Sequence, residues 1–226
     1  MVIFRLFSLF VLFSAIGCQT AEKTQGPTIF GNLYVRYLQD GGQVKAEASF
    51  FEGDSAHTAQ PVSVPGGVSF QGSGMESRNI QDKLIRYQYE NSIAYSGEFT
   101  FQVQDEAGKV HRFAASMPPV DSFYLPETIS KSKGTTLELQ PAPASQNEEL
   151  AILFTDAAGK ASLLEIKPPI SKKVALTPTH LGKLSPGAYQ IYLVKKQRTF
   201  IEREGYKVYF DLEFYTGVKE VVVGDQ

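Results

Sequence analysis

The chain has 226 residues, with 22 Lys and Arg against 24 Asp and Glu, a net charge of -2, 16 Phe, 11 Tyr, no Trp and one Cys. A near balance of charge carries no basic excess to neutralise a phosphate backbone, which excludes ordinary nucleic-acid binding. A single cysteine excludes an internal disulfide framework and a structural zinc site, so the fold must be held by hydrophobic cores.

In chain order, the first element is the segment Met1 to Cys18. Arg5 supplies a positive start, Leu6 to Phe13 an apolar run, and Ala15-Ile16-Gly17-Cys18 a small-residue cleavage site, the layout of an export signal. Val2 to Gly17 is short of the ~20 apolar residues of a membrane span and is interrupted by Arg5. Ala-Ile-Gly-Cys resembles the lipobox of bacterial lipoproteins, with Ala15 where that family more often carries leucine. The resemblance implies acylation of Cys18, removal of residues 1–17, and attachment to a membrane through the lipid. Gln19 in place of aspartate implies the outer membrane, with the periplasmic and surface faces both open. Several acyl chains would anchor firmly, since each buried methylene contributes ~0.8 kcal/mol. Residues 18–27 form the lipidated cysteine and a polar tether ending in Gly26-Pro27.

After the tether the pattern is period two. In Val44-Lys45-Ala46-Glu47-Ala48-Ser49-Phe50 the apolar residues share one face and the polar ones the other, as a half-buried strand requires. Leu33 to Leu38 precedes it across Gln39-Asp40-Gly41-Gly42, so the two predict a hairpin. Further strands are expected at Val62 to Val64, Val68 to Gln71, Leu84 to Glu90, Glu98 to Gln104 and Val110 to Ala115. The second half continues with Leu137 to Gln140, Leu150 to Thr155, Ala161 to Ile166, Lys173 to Leu176, Ala188 to Lys195 and Tyr206 to Tyr215. Pro118-Pro119 and Pro126 disfavour a continuous strand, which puts a domain boundary near residue 120. The expected fold class is all-β: two tandem Ig-like antiparallel β-sandwiches, residues 28–119 and 120–226. Gly97-Glu98-Phe99-Thr100-Phe101 and Gly187-Ala188-Tyr189-Gln190-Ile191 share a pattern ninety residues apart, which suggests duplication. The second copy resembles the entry to the sixth strand of Ig-like and fibronectin-like domains, which implies that the Tyr189 hydroxyl bonds back to nearby backbone as a corner.

Asp105-Glu106-Ala107-Gly108-Lys109 and Asp156-Ala157-Ala158-Gly159-Lys160 lack the oxygen set of a calcium loop. They read as hairpin turns, Asp capping through its side chain and Gly in the left-handed position. No nucleophile elbow, zinc-protease pair or phosphate loop occurs, and spacing groups none of His57, His111 and His180. Glu148-Glu149 reads as a solvated turn. No catalytic, metal or cofactor site is expected.

Two surface candidates remain. Lys195 to Lys207 is either a projecting basic loop, in which Lys196, Arg198, Phe200 and Arg203 meet an anionic or planar ligand, or the two strands simply continuing. In the second case Glu202 and Glu204 pair with Lys195, Lys196 and Arg198. Phase along Val208, Phe210, Leu212 and Phe214 leaves Tyr209 and Tyr215 outward with Tyr192 beside them, able to stack on sugars or to pack across strands. The expected function is noncovalent binding, or a structural part in an envelope assembly, with an envelope protein or glycan as partner. The alternatives are a surface glycan- or polymer-binding lipoprotein and an envelope hydrolase built on convergent carboxylates.

Overall fold

The computed structural model describes residues 27–81, 83–141 and 147–225. The segment expected to be an export signal, Cys18 and most of the expected tether lie outside them. The first half contains β1 (Thr28–Leu38), β2 (Gln43–Gly53), β3 (Gln60–Pro61), β4 (Val68–Phe70), β5 (Ser73–Gly74), β6 (Glu76–Ile80), β7 (Leu84–Ser92), β8 (Glu98–Gln104) and β9 (Val110–Ser116). The second contains β10 (Ser122–Tyr124), β11 (Thr128–Ser130), β12 (Thr135–Gln140), β13 (Glu148–Asp156), β14 (Ala161–Ile166), β15 (Lys173–Leu176), β16 (Gly187–Arg203), β17 (Tyr206–Tyr215) and β18 (Lys219–Gly224). The only α-helix among the described residues is one turn, Pro178–Leu181, which Thr177 and His180 cap reciprocally; a 3-10 turn, Asp40–Gly42, links β1 to β2. The protein is an all-β sandwich.

Three sheets build it. Eleven strands form one long sheet whose main path runs β11-β18-β16-β17-β1-β2-β7-β6, with β13 and β14 joined at β16 and β3 at β2. A four-stranded sheet, β5-β4-β8-β9, and a three-stranded one, β10-β12-β15, complete the set. Alternation decides which face is inside: Leu33, Val35 and Tyr37 on β1, Val208, Phe210, Leu212 and Phe214 on β17, and Ile191 and Leu193 on β16 are buried. Both smaller sheets pack on that one inner face, and all three share a continuous hydrophobic core. Ring contacts mark the seam, with Phe101 on Phe210 at 5.3 Å and Tyr95 on Phe214 at 5.0 Å.

The expected first hairpin is present, β1 pairing antiparallel with β2 over their full lengths. Strand pairing also crosses residue 120: β1 runs parallel to β17 from Ile29↔Tyr206 to Leu38↔Tyr215. The 17-residue β16 is flanked by β13 and β18 along its first part and by β17 along its last, so one strand serves both ends of the long sheet. The two segments with the shared glycine-aromatic pattern lie in different sheets, β8 in the four-stranded one and β16 in the eleven-stranded one.

Val62 to Val64 is not a strand. Bonding to β2 ends with the Val62 amide on the Phe50 carbonyl at 3.0 Å, and the Val64 amide donates to the Tyr87 hydroxyl at 2.7 Å instead of to a neighbouring strand. Two proline rings, Pro61 and Pro65, remove the donors a longer ladder needs. Both Asp-x-Ala-Gly-Lys segments are hairpin turns, with Asp105 Oδ1 accepting from the Lys109 amide at 2.9 Å and Asp156 Oδ1 from the Lys160 amide at 2.8 Å. Gly108 and Gly159 take φ of 79° and 80°.

The tyrosine corner is present. The Tyr189 hydroxyl donates to the Ser185 carbonyl at 3.0 Å and accepts from its amide at 3.1 Å, closing the entry to β16. Tyr189→Phe removes both bonds and leaves two backbone groups to find other partners. It should cost about 1–2 kcal/mol in urea unfolding. A change below ~0.3 kcal/mol would deny the corner an energetic role.

Glu148 corrects the expectation of a solvated turn. It is fully buried, its Oε2 2.9 Å from the Nζ of Lys195, which is itself only 2% exposed. Lys195 also donates to the Pro118 carbonyl at 2.6 Å. The pair therefore sits where the inner face passes from one small sheet to the other, beside the proline linker. Side chains hold that linker along its length: Tyr95 on the Met117 carbonyl, Gln39 on Asp121 and Lys219 on Phe123. Burial, then the charge of Glu148, pushes the Tyr95 hydroxyl well above its ordinary range.

Candidate recognition surface

The basic segment Lys195 to Lys207 is not a projecting loop. β16 continues to Arg203, Glu204-Gly205 makes the turn, and β17 starts at Tyr206, with Gly205 at φ 84°. The ion pairs also differ from the expected cross-pairing: Glu202 meets Lys207 at 3.4 Å and Glu204 meets Lys109 at 2.7 Å.

Continuing strands place the candidate side chains by parity. Even-numbered residues of β16 point away from the core, as do odd-numbered residues of β17. Tyr192, Lys196, Arg198, Phe200, Tyr209 and Tyr215 therefore share the outer face of the long sheet, whereas Arg203 points the other way and donates to the Arg112 carbonyl at 3.1 Å.

Strand register arranges that face in crosswise rows. One runs Phe200↔Tyr209↔Asn32↔Ser49↔Arg86. The next runs Arg198↔Asp211↔Tyr34↔Glu47↔Gln88, and the third Lys196↔Glu213↔Arg36↔Lys45↔Glu90. Within them, every charge except Arg36 and Glu90 has an opposite charge within 4 Å. Arg198 grips Asp211 with two bonds, Nε to Oδ1 at 2.6 Å and a terminal nitrogen to Oδ2 at 2.9 Å, the bidentate fork that suits guanidinium to carboxylate. Glu213 Oε2 accepts from the hydroxyls of Tyr34 at 2.8 Å and Tyr215 at 2.9 Å while Oε1 lies 3.6 Å from Lys196. Burial and the bonded Glu213 carboxylate push the Tyr215 hydroxyl up to about 12 and raise that of Tyr34 further. Burial works to raise Glu47, but the hydrogen bond and charge of Lys45 at 2.9 Å outweigh it, so its carboxyl lies below the usual range.

The aromatic row is engaged differently. Phe200 is 50% and Tyr209 48% exposed, their rings 5.2 Å apart at 49°, with the Arg198 guanidinium 5.5 Å above Tyr209. Tyr192 and Tyr215 form a second, half-buried ring pair 6.1 Å apart. Between the two lies a groove of about 490 Å³ lined by Tyr34, Glu149, Lys196, Arg198, Asp211 and Glu213.

Sequence reasoning named the cations and rings of this face but not Asp211 and Glu213, which neutralise them. The signal was available, since Tyr209-x-Asp211-x-Glu213-x-Tyr215 is one outward alternation. Neither the protein-family models nor the curated proteins contain a match to this chain. Among the described residues no group of three or more His, Cys, Asp or Glu could hold a metal ion.

Proposed function

We propose that the chain is an exported, lipid-anchored protein of the bacterial envelope that acts by noncovalent recognition of another envelope protein through the outer face of its long sheet. Support for the anchor is the Ala15-Ile16-Gly17-Cys18 motif. The observation that carries the recognition reading is the exposed Phe200 and Tyr209 pair standing beside Arg198–Asp211 and Tyr34–Glu213, side chains that already bond one another. Such a surface offers an apolar centre with a satisfied polar rim, the anatomy of a protein interface. A glycan instead requires outward donors and acceptors that are free to bond hydroxyls, and Asp211, Glu213 and Glu47 are committed. A photo-crosslinking amino acid placed at position 200 or 209 of the full-length protein in intact cells should give one discrete protein adduct, absent when the same group replaces Arg112. Adducts equal at all three positions, or none at 200 and 209, would refute the reading. Retention on a glycan array that is lost in Phe200→Ser and Tyr209→Ser would replace the protein partner with a carbohydrate.

A further inference from the structure

His111 lies on the inner side of β9 and its side chain is only 5% exposed, yet it faces two carboxylates from different elements. Its Nε2 is 2.9 Å from Oδ2 of Asp105, at the end of β8. Its Nδ1 is 3.4 Å from Oε2 of Glu204, in the turn between β16 and β17, and has no hydrogen-bond partner. The Tyr206 ring packs on the imidazole at 4.6 Å. The remaining charged groups around it are Lys109, 2.7 Å from Glu204, Arg203, which reaches over to the Arg112 carbonyl, and Glu52 and Glu106 on the rim of an adjoining groove.

A neutral imidazole has one N–H. If Nε2 carries it toward Asp105, Nδ1 presents a lone pair to the Glu204 carboxylate, and two acceptors face each other. A second proton turns that contact into a charge-assisted bond and lets one ring tie both elements. We propose that His111 is a proton-operated latch that fastens the β16–β17 turn to the β8–β9 turn, closed when the imidazole is protonated and loosened when it is neutral. The latch guards the first rung of the long ladder, because the Ile29 amide donates to the Gly205 carbonyl at 2.8 Å in that same turn.

The sign follows from proton counting. The closed form binds one more proton than the open form, so closure strengthens as pH falls and weakens as it rises. Imidazole is the side-chain type that ordinarily gains or loses a proton between about pH 5 and 8, so the two ends of that window are the conditions to compare. The carboxylates limit it from below: the bond from His111 holds Asp105 under its usual range, and Lys109 does the same for Glu204, so both stay charged in mild acid.

Hydrogen exchange of the full-length protein in detergent, corrected for the intrinsic rate at each pH, reads the latch at Ile29 and residues 204–208. Protection should be about tenfold lower at pH 8 than at pH 5.5, the scale of one charge-assisted hydrogen bond gained or lost. In Glu204→Gln, a change at a half-exposed surface position, the ratio should fall to within about twofold, and in His111→Gln likewise. Lys109→Met removes the neighbouring pair but no group that titrates in the window, and should keep the full ratio. A flat wild-type profile, or an undiminished one in Glu204→Gln, would overturn the latch.

Discussion

Lys195→Met should destabilise the protein by about 3–5 kcal/mol in urea unfolding at neutral pH, because it leaves Glu148 buried without its counter-charge. The Pro118 carbonyl loses its donor in the same step. A surface lysine would show nothing comparable, since exposed pairs are worth only ~0–1 kcal/mol. The companion variant separates the pair's net worth from the cost of breaking it. Glu148→Leu with Lys195→Met fills the site with apolar side chains and leaves only the linker carbonyl unsatisfied, at roughly 1–3 kcal/mol. The double variant should therefore be at least ~2 kcal/mol more stable than Lys195→Met alone. If the single variant lies within ~1 kcal/mol of wild type, the site admits water or an alternative partner, and the buried pair is not what holds the linker.

A chain ending at residue 119 should not fold, although its Pro118-Pro119 terminus is where the sequence divides most naturally. Residues 28–119 contain nine strands but lack β17, the parallel partner of β1 along Ile29 to Leu38. Val208, Phe210, Leu212 and Phe214 supply the middle of that core, all 1% exposed or less. At about 1.5–3 kcal/mol for each buried side chain, their loss removes roughly 6–12 kcal/mol, which is comparable to the ~5–15 kcal/mol of total stability of a typical domain. Calorimetry of the whole chain should accordingly show a single transition. A cooperative melt from the isolated 28–119 segment would show that the four-stranded sheet closes its core without β16 and β17.

These two expectations mark where the sequence was readable. Local patterns were informative: the β1–β2 hairpin, both Asp-x-Ala-Gly-Lys turns, the limits of β8, β14, β15 and β17, and the Tyr189 corner all depend on residues within about 25 positions of one another. Phase was informative further than it was applied. Glu148 continues the inward series Leu150, Ile152 and Phe154, and Lys195 continues Ile191 and Leu193, so alternation alone places both charges inside. Short strands such as β5, β10 and β11 span two or three residues and leave no periodicity to detect. The partnership of β1 with β17 was illegible for a different reason. It joins residues about 177 positions apart in the register Ile29↔Tyr206, and no local preference encodes which distant strand a buried strand will meet. The same limit hid the latch, whose members lie on β9, on the β8–β9 turn and on a turn about ninety residues later.

The place where the tether joins the fold has a mechanical meaning. β1 begins at Thr28 with β2 on one side and β17 on the other, eleven residue pairs in one ladder and ten in the other. Tension entering through Thr28 along the strand axis loads both ladders in shear, so many hydrogen bonds must yield together. Had the tether joined an edge strand such as β6, the same pull could peel bonds away one at a time. In the lipid-anchored role proposed above, a pull from a partner on the sheet face would thus enter the fold through a strand held on both sides by long ladders.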